Sequence, residues 1–388
     1  MSNYLFERYK ASMILSGVGD ALGYRNGIWL YNNSGKDIYR EFIETFQQIE
    51  HIHIQLPQWR LSDNSILHLA IGECLSEYGE KDPSSGLYLS IVKKLKSILN
   101  DLKNRHPNSN QISSINRLSE NDWSQPYSPI SNDSKSAVRS ISIGLRYSKI
   151  SEFDKLMNVS IEISRMTNSH LEGFLGGFIS SLFTSYAIQD KPINTWIKSL
   201  IQILPYLQHH IQSQQGSHLT HYIKSWSSFE KFWKDFIIRQ DVNIKDMEER
   251  DNFYRSLSHA GWPGSSGCDS IAIAYNALIT SDCSWSELCK RSCFHTGQTN
   301  STGSIAAGLF GIIYGFQYVP IDNYKNIEYH DRLENVAIKL FDLREKEIKL
   351  KQINDQHGPC QHFKFVPSNI LDNMPGFRQS ILSTNQRK

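Results

Sequence analysis

Helical periodicity dominates this sequence and restricts its fold more than any other feature. In residues 65–78 apolar side chains recur at three- and four-residue spacing, which is typical of one buried face of an amphipathic helix. The alternation typical of a strand is confined to 50–56. We therefore predict an all-α fold. Further helices are predicted at 8–15, 87–102, 134–147, 153–165, 173–188, 193–211, 223–238, 269–280, 284–294, 303–316 and 329–343.

The polar stretches between these helices predict one domain followed by a tail. Residues 103–135 and 239–268 show little periodicity, but similar helical segments flank both, so they are predicted as loops. Residues 345–388 are polar, carry scattered prolines and show no sustained period. We predict a domain over 1–344 and an extended C-terminal tail over 345–388. The tail aromatics would be exposed in a free chain, so we expect the tail to bind protein partners; they are Phe363, Phe365 and Phe377.

Composition argues against several classes of partner. Lys and Arg number 41 against 39 Asp and Glu, which gives a net charge of +2 without long runs of one sign. Nucleic acid and anionic membrane surfaces are therefore not expected partners. The N-terminal residues lack a cleavage-site pattern, and the chain has no apolar run of membrane-spanning length. The six cysteines form no CxxC motif, so we expect a protein of the reducing cytoplasm.

Two polar clusters stand directly before long apolar helices. One contains Ser62, Asp63 and Asn64, and the other contains Gln298, Asn300 and Ser301. Taken singly, each is a good helix N-cap, and Asp269 and Thr302 fit the same role. Capping does not require several consecutive oxygen-bearing side chains, however. Two such clusters in contact would form the oxygen-rich site that hard cations prefer.

Ordered motifs across residues 7–343 resemble the ADP-ribosylglycohydrolase family, specifically its ADP-ribosylarginine hydrolase branch. This resemblance implies a single compact orthogonal helical bundle whose active cleft lies at helix N-termini. The motifs that carry it include Gly19-Asp20-Ala-Leu-Gly-Tyr, Trp59-Arg-Leu-Ser-Asp63, Gly144-Leu-Arg-Tyr, Arg165-Met-Thr-Asn, Gly173-Phe-Leu-Gly, Gly261-Trp, Ser265-Ser-Gly-Cys-Asp269 and Phe294-His295.

The resemblance also implies a chemistry, and the sequence departs from it at the metal positions. Family members cleave the bond between ADP-ribose and a protein side chain with two magnesium ions, held by two aspartate-rich motifs and an early glutamate. That glutamate aligns with Leu30 here, and only Asp63 keeps a carboxylate. We therefore expect no catalytic residue and no bound metal. The family's metal positions fall on Ser62, Asp63, Asn64, Gln298, Asn300 and Ser301.

The phosphate-binding loop of the family is altered as well. Its glycines align with Asp133-Ser134-Lys135, where side chains prevent the close approach of backbone N–H groups to a pyrophosphate. Lys135 would offer a direct charge instead, while Asp133 would repel phosphate. The resemblance leaves Asp20, Lys135 and Asp269 as the remaining residues of a degenerate ADP-ribose cleft.

These departures predict a pseudoenzyme similar to the family's inactive ADP-ribosylhydrolase-like paralogue. We expect a structural or interaction subunit without a cofactor, with protein partners and a host such as a cytoskeletal or ciliary assembly. The alternative is a residual magnesium-dependent ADP-ribosylarginine hydrolase, or an ADP-ribose binder, that uses Ser62, Asp63 and Ser301 around one weakly held ion.

Overall fold

Helices form all the regular structure in the part of the chain that the computed structural model describes, namely residues 2–120, 122–214, 218–258 and 261–357. The all-α prediction is confirmed. The helices are α1 (Ser2–Tyr24), α2 (Gly35–Phe46), α3 (Asp63–Tyr78), α4 (Ser85–Ser97), α5 (Leu99–Leu102), α6 (Ser109–Arg117), α7 (Lys135–Arg139), α8 (Ile141–Arg146), α9 (Phe153–Arg165), α10 (Leu171–Ile188), α11 (Trp196–Ser213), α12 (Leu219–Phe236), α13 (Met247–Leu257), α14 (Asp269–Ile279), α15 (Trp285–Ser292), α16 (Thr299–Tyr314) and α17 (His330–His357).

Contacts along the chain divide it into two units, Met1–Arg344 and Glu345–Lys388. The first unit holds the helices that surround the candidate site. In the second unit, the described residues, 345–357, belong to α17. No helix in the described ranges combines the length and the low polarity that crossing a bilayer requires.

The centre of the first unit is built from helices that are apolar on all sides. Residues 11–24 of α1, the whole of α10 and residues 299–312 of α16 are buried. Such helices belong in a protein interior, whereas helices with one apolar stripe, such as α9 and α12, cover them. α1 packs along α16, and α10 packs against α7, α8, α9 and α16. The first turns of α3, α7 and α16 consequently come together at the candidate site.

Glycines allow α1 and α16 to touch through their backbones. A Cβ atom added to Gly19 would lie 2.1 Å from the carbonyl oxygen of Gly303, and one added to Gly23 would lie 2.3 Å from that of Thr299. Both distances are far inside van der Waals contact. A side chain at either position would therefore push apart the two helices that position the site.

Replacing Gly19 with alanine should destabilise the fold by about 1–3 kcal/mol, because a buried methyl group without space forces the backbone to shift. Urea denaturation followed by circular dichroism measures this loss. Gly86 is the matched control, since it also lies in a helix but its added Cβ would meet only ordinary contacts of 3.6 Å and beyond. A Gly19→Ala variant as stable as Gly86→Ala would contradict the close packing.

Residues 50–56, where the sequence alternates like a strand, form no strand, as the all-α prediction requires. A 3-10 turn covers Ile49–His51, and the following residues are irregular. Ile52 and Ile54 are nevertheless buried, and the Ile54 N–H donates to the Asp322 carbonyl at 3.2 Å. Asn323 donates from its side chain to the carbonyl oxygens of Ile49 and Ile52 at 2.9 Å each. Side-chain and loop contacts thus replace the ladder that a strand would need.

The two predicted loops and the predicted tail each contain a helix. α6 lies within 103–135 and α13 within 239–268, and α2 was not predicted either. α6 and α13 are short and bury only a few residues, so their apolar stripes are sparse. α17 continues to His357, because residues 345–357 are rich in helix-favouring Glu, Lys, Gln and Leu although they lack an apolar period. The tail aromatics Phe363, Phe365 and Phe377 lie outside the described residues.

Candidate functional site

The two polar clusters meet at the N-terminal ends of α3 and α16. The side-chain amide of Asn64 donates to the Ser301 hydroxyl at 2.9 Å, across 237 residues of sequence. The amide of Asn300 donates to the Ser62 hydroxyl at 3.0 Å. All four side chains are buried. At two positions where the family has carboxylates, this chain therefore has N–H donors that link the helix ends directly.

A lysine occupies the same place and pairs with the remaining carboxylate. The Lys135 ammonium contacts Asp63 Oδ2, and their side chains are only 5% and 2% exposed. Burial opposes the ammonium, but the charges of Asp63 and Asp133 outweigh it and raise the pKa of Lys135. Lys135 is therefore charged near neutral pH. A side chain of the protein, and not a bound cation, thus supplies the positive charge beside Asp63.

Ser134 and Gln298 complete the surroundings in different ways. The Ser134 hydroxyl donates to Ser301 at 2.9 Å, which adds the first turn of α7 to the hydrogen-bonded group. Gln298 lies at the edge, where its side-chain oxygen accepts from the Tyr31 hydroxyl at 3.4 Å. Tyr31 is 48% exposed and packs edge-on against Trp262 with ring centroids 5.6 Å apart. These two rings border the solvent side of the site.

Asp20 orients the N-terminus of α3. Its carboxylate accepts from the backbone N–H of Ser62 at 2.8 Å and from the hydroxyls of Ser62 and Ser65 at 2.6 Å each. Burial raises the pKa of Asp20 to about 6, although these donors act in the opposite direction. Both carboxylate oxygens of Asp20 therefore accept hydrogen bonds from within the protein, and Asp20 acts as a positioning residue for the turn at Ser62.

Asp269 has a comparable role at another helix. It is the first residue of α14, and one carboxylate oxygen accepts from the backbone N–H and the hydroxyl of Ser266 at 2.7 and 2.9 Å. Ser266 also forms an isolated bridge with Asp133. Asp269 thereby stabilises the turn that faces the altered phosphate loop. The resemblance implies that Asp20 and Asp269 belong to one cleft. In the structure, Asp20 stabilises the turn at Ser62 and Asp269 stabilises the turn at Ser266.

A buried ion pair that the sequence did not predict holds the loop before α3. Arg105, 1% exposed at its side chain, makes two hydrogen bonds to Glu328, of 2.8 and 2.9 Å. Arg105 also donates to the Leu61 carbonyl at 2.7 Å, and Glu328 accepts from the Leu61 N–H at 2.8 Å. Both residues lie in polar segments that resemble ordinary surface. No sequence signal joins them across 223 residues.

Leu30 is the residue at which the resemblance implies an early glutamate in the family. It is partly buried and follows Trp29, which is fully buried against Trp59 and Phe294 at 6.0 and 5.4 Å between ring centroids. The aromatic packing thus keeps the local backbone in place without a carboxylate. In the described ranges, no group of three or more His, Cys, Asp or Glu side chains is arranged to hold a metal ion.

Buried titratable groups near the site should make stability depend on pH. Burial lowers the pKa values of His68 and His295 to about 4, from an ordinary 6.5. Between pH 4 and 6 the unfolded chain therefore binds two more protons at these positions. The folded chain binds one more at Asp20, whose pKa is raised to about 6. From these three groups the free energy of unfolding should rise with pH by about 1.4 kcal/mol per unit.

Urea denaturation at several pH values between 4 and 6 measures this slope. A His68→Leu variant should lower the slope by about 1.4 kcal/mol per pH unit, which corresponds to one proton. Asp20→Asn should raise the slope by about the same amount. Identical slopes in the wild type and both variants would contradict the assignment of these groups.

The chain is similar to known proteins both in sequence and in its all-α fold. The family model described as ADP-ribosylglycohydrolase matches residues 1–349. ADP-ribosylhydrolase ARH1 of Dictyostelium discoideum is 32% identical over 85% of this chain and 93% of its own length. A putative ADP-ribosyl glycohydrolase of Acanthamoeba polyphaga mimivirus is 26% identical over 82% of this chain and 66% of its own. A solved structure titled ADP-ribosylglycohydrolase-related protein complex shares the fold, with a TM-score of 0.59, 12% identity, and coverage of 88% of this chain and 99% of that one.

Proposed function

Because the chain belongs to the ADP-ribosylglycohydrolase family, we propose that it is a family member without hydrolase activity that serves as a structural or interaction subunit. One observation carries the proposal: the Lys135 ammonium pairs with Asp63, the one carboxylate left at the family's metal positions.

The donor set fits two magnesium ions poorly. Mg²⁺ requires near-octahedral oxygen ligands and loses its water reluctantly. Asn64 and Asn300 direct N–H groups at the Ser301 and Ser62 hydroxyls, so those serines would have to exchange partners before they could bind a cation. Each carboxylate replaced by an amide removes about 4 kcal/mol of attraction per unit of cation charge at 4 Å and an effective dielectric of 20.

Lys135 adds repulsion to this loss of attraction. A buried ammonium already neutralises Asp63, and a divalent ion beside it would face a like charge at close range. Two close cations polarise the reacting groups and activate water in hydrolases of this kind. Without them, the buried serines and amides of this cluster offer no general base. The altered Asp133-Ser134-Lys135 loop argues against ADP-ribose binding as well.

An assay of ADP-ribosylarginine hydrolysis with Mg²⁺, together with calorimetric titration of ADP-ribose, tests the proposal. We expect no turnover and no magnesium-dependent binding. The Dictyostelium relative is named as an ADP-ribosylhydrolase, so a residual hydrolase is the alternative. Turnover that requires Mg²⁺ and is abolished by Asp63→Ala would overturn the proposal and favour that alternative.

The interaction role is supported by what lies beyond the family match. The family model ends at residue 349, whereas the chain continues to residue 388 with Phe363, Phe365 and Phe377 among polar residues. We propose that this segment docks on protein partners in the cytoplasm, with a cytoskeletal assembly as the host. Detergent extraction of cells separates soluble protein from cytoskeleton. Removal of 358–388 should move the protein into the soluble fraction, and an unchanged distribution would contradict the docking role.

A further inference from the structure

A cavity lies beside the candidate site, and the guanidinium of an arginine at its wall has no partner. It has a volume of about 400 Å³ and is bordered by Tyr24, Asn26, Leu56, Pro57, Arg60, Asn104 and Glu328. This is within the range of roughly 300–1,000 Å³ that small-molecule sites occupy. It adjoins the Ser62 cluster, since Arg60 precedes it by two residues and the Arg105 carbonyl, next to Asn104, accepts from the Asp63 N–H.

Arg60 differs from the other arginines in the described ranges. Each of those has a hydrogen bond, an ion pair or an aromatic ring at its guanidinium, and Arg60 has none of these. Its backbone is fixed, because its N–H donates to Asn26 Oδ1 at 3.0 Å. Arg60 is partly buried as a residue, while the nitrogens of its guanidinium remain accessible and have no partner in the protein. A guanidinium with five available N–H donors at the wall of a cavity is arranged for a planar oxyanion.

The cavity wall includes unusual backbone. Asn26 and Asn104, which line the cavity, have φ of 54° and 65°, and their near neighbours Arg25 and His106 also have positive φ, of 42° and 54°. Residues with a side chain rarely adopt this conformation, and such residues concentrate at binding sites. Side chains secure the conformation: Asn26 donates to the Pro57 carbonyl at 2.9 Å, and Tyr24 hydrogen-bonds His106 Nδ1 at 2.8 Å.

Charge and polarity around Arg60 define the ligand class. Glu328 lines the same cavity, but both of its oxygens already bind Arg105, which also pairs with Asp101. These three residues together carry one net negative charge, which opposes a dianion more strongly than a monoanion. Leu56 is 50% exposed and, with Pro57, gives the rim an apolar side. A small aliphatic carboxylate has a planar oxyanion for Arg60, only one negative charge, and an apolar part that fits Leu56 and Pro57.

We propose that this cavity is a binding site for a small aliphatic carboxylate, with Arg60 as the residue that recognises the carboxylate group. The site requires neither ADP-ribose nor a metal ion, so it is independent of the proposed loss of hydrolysis. Asn104, exposed at the rim, provides an amide close to the same space. Leu56 and Pro57 contact the aliphatic part.

Calorimetric titration of the full chain with hexanoate tests the site, with hexanamide and hexyl phosphate as comparison probes. We expect saturable hexanoate binding, at least about tenfold weaker binding of hexanamide, and hexyl phosphate binding no tighter than hexanoate. Arg60→Gln should weaken hexanoate binding at least about tenfold. Arg40→Gln is the matched control and should leave it unchanged, since Arg40 lies on the exposed face of α2 and pairs with Asp37.

Specific outcomes would overturn the inference. These are the absence of saturable hexanoate binding, equal binding by Arg60→Gln, or much tighter binding of hexyl phosphate, which would make the site a phosphate site. If Arg60→Gln does not fold, Leu56→Glu provides the second test. It removes an apolar contact and adds a negative charge at an exposed rim position, so it should weaken hexanoate binding by a larger factor than hexanamide binding; unchanged hexanoate affinity, or an equal loss for both probes, would count against the site.

Discussion

Replacing Lys135 with methionine should lower the free energy of unfolding by about 3–5 kcal/mol. The two side chains of the Lys135–Asp63 pair are almost fully buried, so loss of the ammonium leaves an uncompensated carboxylate inside the protein. Methionine keeps most of the length and apolar volume of the lysine stem, which limits the effect to the charge. Denaturation in guanidinium chloride at pH 7 measures the loss.

The double variant Lys135→Met, Asp63→Asn separates charge from packing. Removal of both charges should recover most of the stability, because a neutral amide buried beside methionine costs less than an unpaired carboxylate. Lys231→Met is the surface control: Lys231 pairs with Asp235 on the exposed face of α12, and its loss should cost about 0.5 kcal/mol or less. A Lys135→Met effect no larger than this control would contradict the buried pair.

Restoring the family's metal ligands should create magnesium-dependent stability only when Lys135 is also removed. We expect the variant Asn64→Asp, Gln298→Asp, Asn300→Asp, Lys135→Gly to melt below the wild type in EDTA, because its carboxylates repel one another. Mg²⁺ at about 100 times its dissociation constant adds roughly 2.7 kcal/mol, which corresponds to a rise in Tm of about 3–4 °C for a domain of this size. Differential scanning calorimetry with and without Mg²⁺ measures the shift.

The triple variant that retains Lys135 is the decisive control. Its ammonium competes with the metal for Asp63, so its magnesium-dependent shift should be clearly smaller than that of the quadruple variant. The wild type should show no shift. A wild-type protein whose Tm rises with Mg²⁺ as much as the quadruple variant would mean that amides and serines suffice to bind the ion, and the proposed loss of the metal site would be wrong.

Local patterns were sufficient to predict the helices that bury a continuous face. α9 was predicted at its observed boundaries, and α10 and α14 within two residues, since their apolar residues recur at regular spacing. The pattern failed where burial comes from elsewhere. Ile52 and Ile54 alternate like a strand but lie in irregular backbone. α13 buries the charged Arg250 and Asp251 as well as apolar residues, so it lacks a clear apolar stripe.

The site was predicted as a set of positions but not as a set of contacts. Spacing and resemblance brought Ser62 and Ser301 into one cluster, which the structure places together. The partner of Lys135 was not predictable, because an ammonium aligned with a phosphate loop suggests an external anion rather than Asp63, 72 residues earlier. The ion pair between Arg105 and Glu328 was not predictable for the same reason, because pairing between charges far apart in sequence depends on the three-dimensional fold.

The backbone contact between α1 and α16 also constrains how the chain folds. Thr299 donates from its hydroxyl to the Gly23 carbonyl across 276 residues, so the first helix acquires its packing surface only after most of the chain exists. At ribosomal rates of roughly 5–20 residues per second, α1 waits on the order of tens of seconds with its buried face uncovered. Contacts this distant in sequence slow folding and prolong the exposure of apolar surface. Synthesis of this protein should therefore depend on chaperones, and a fragment that ends before Thr299 should aggregate.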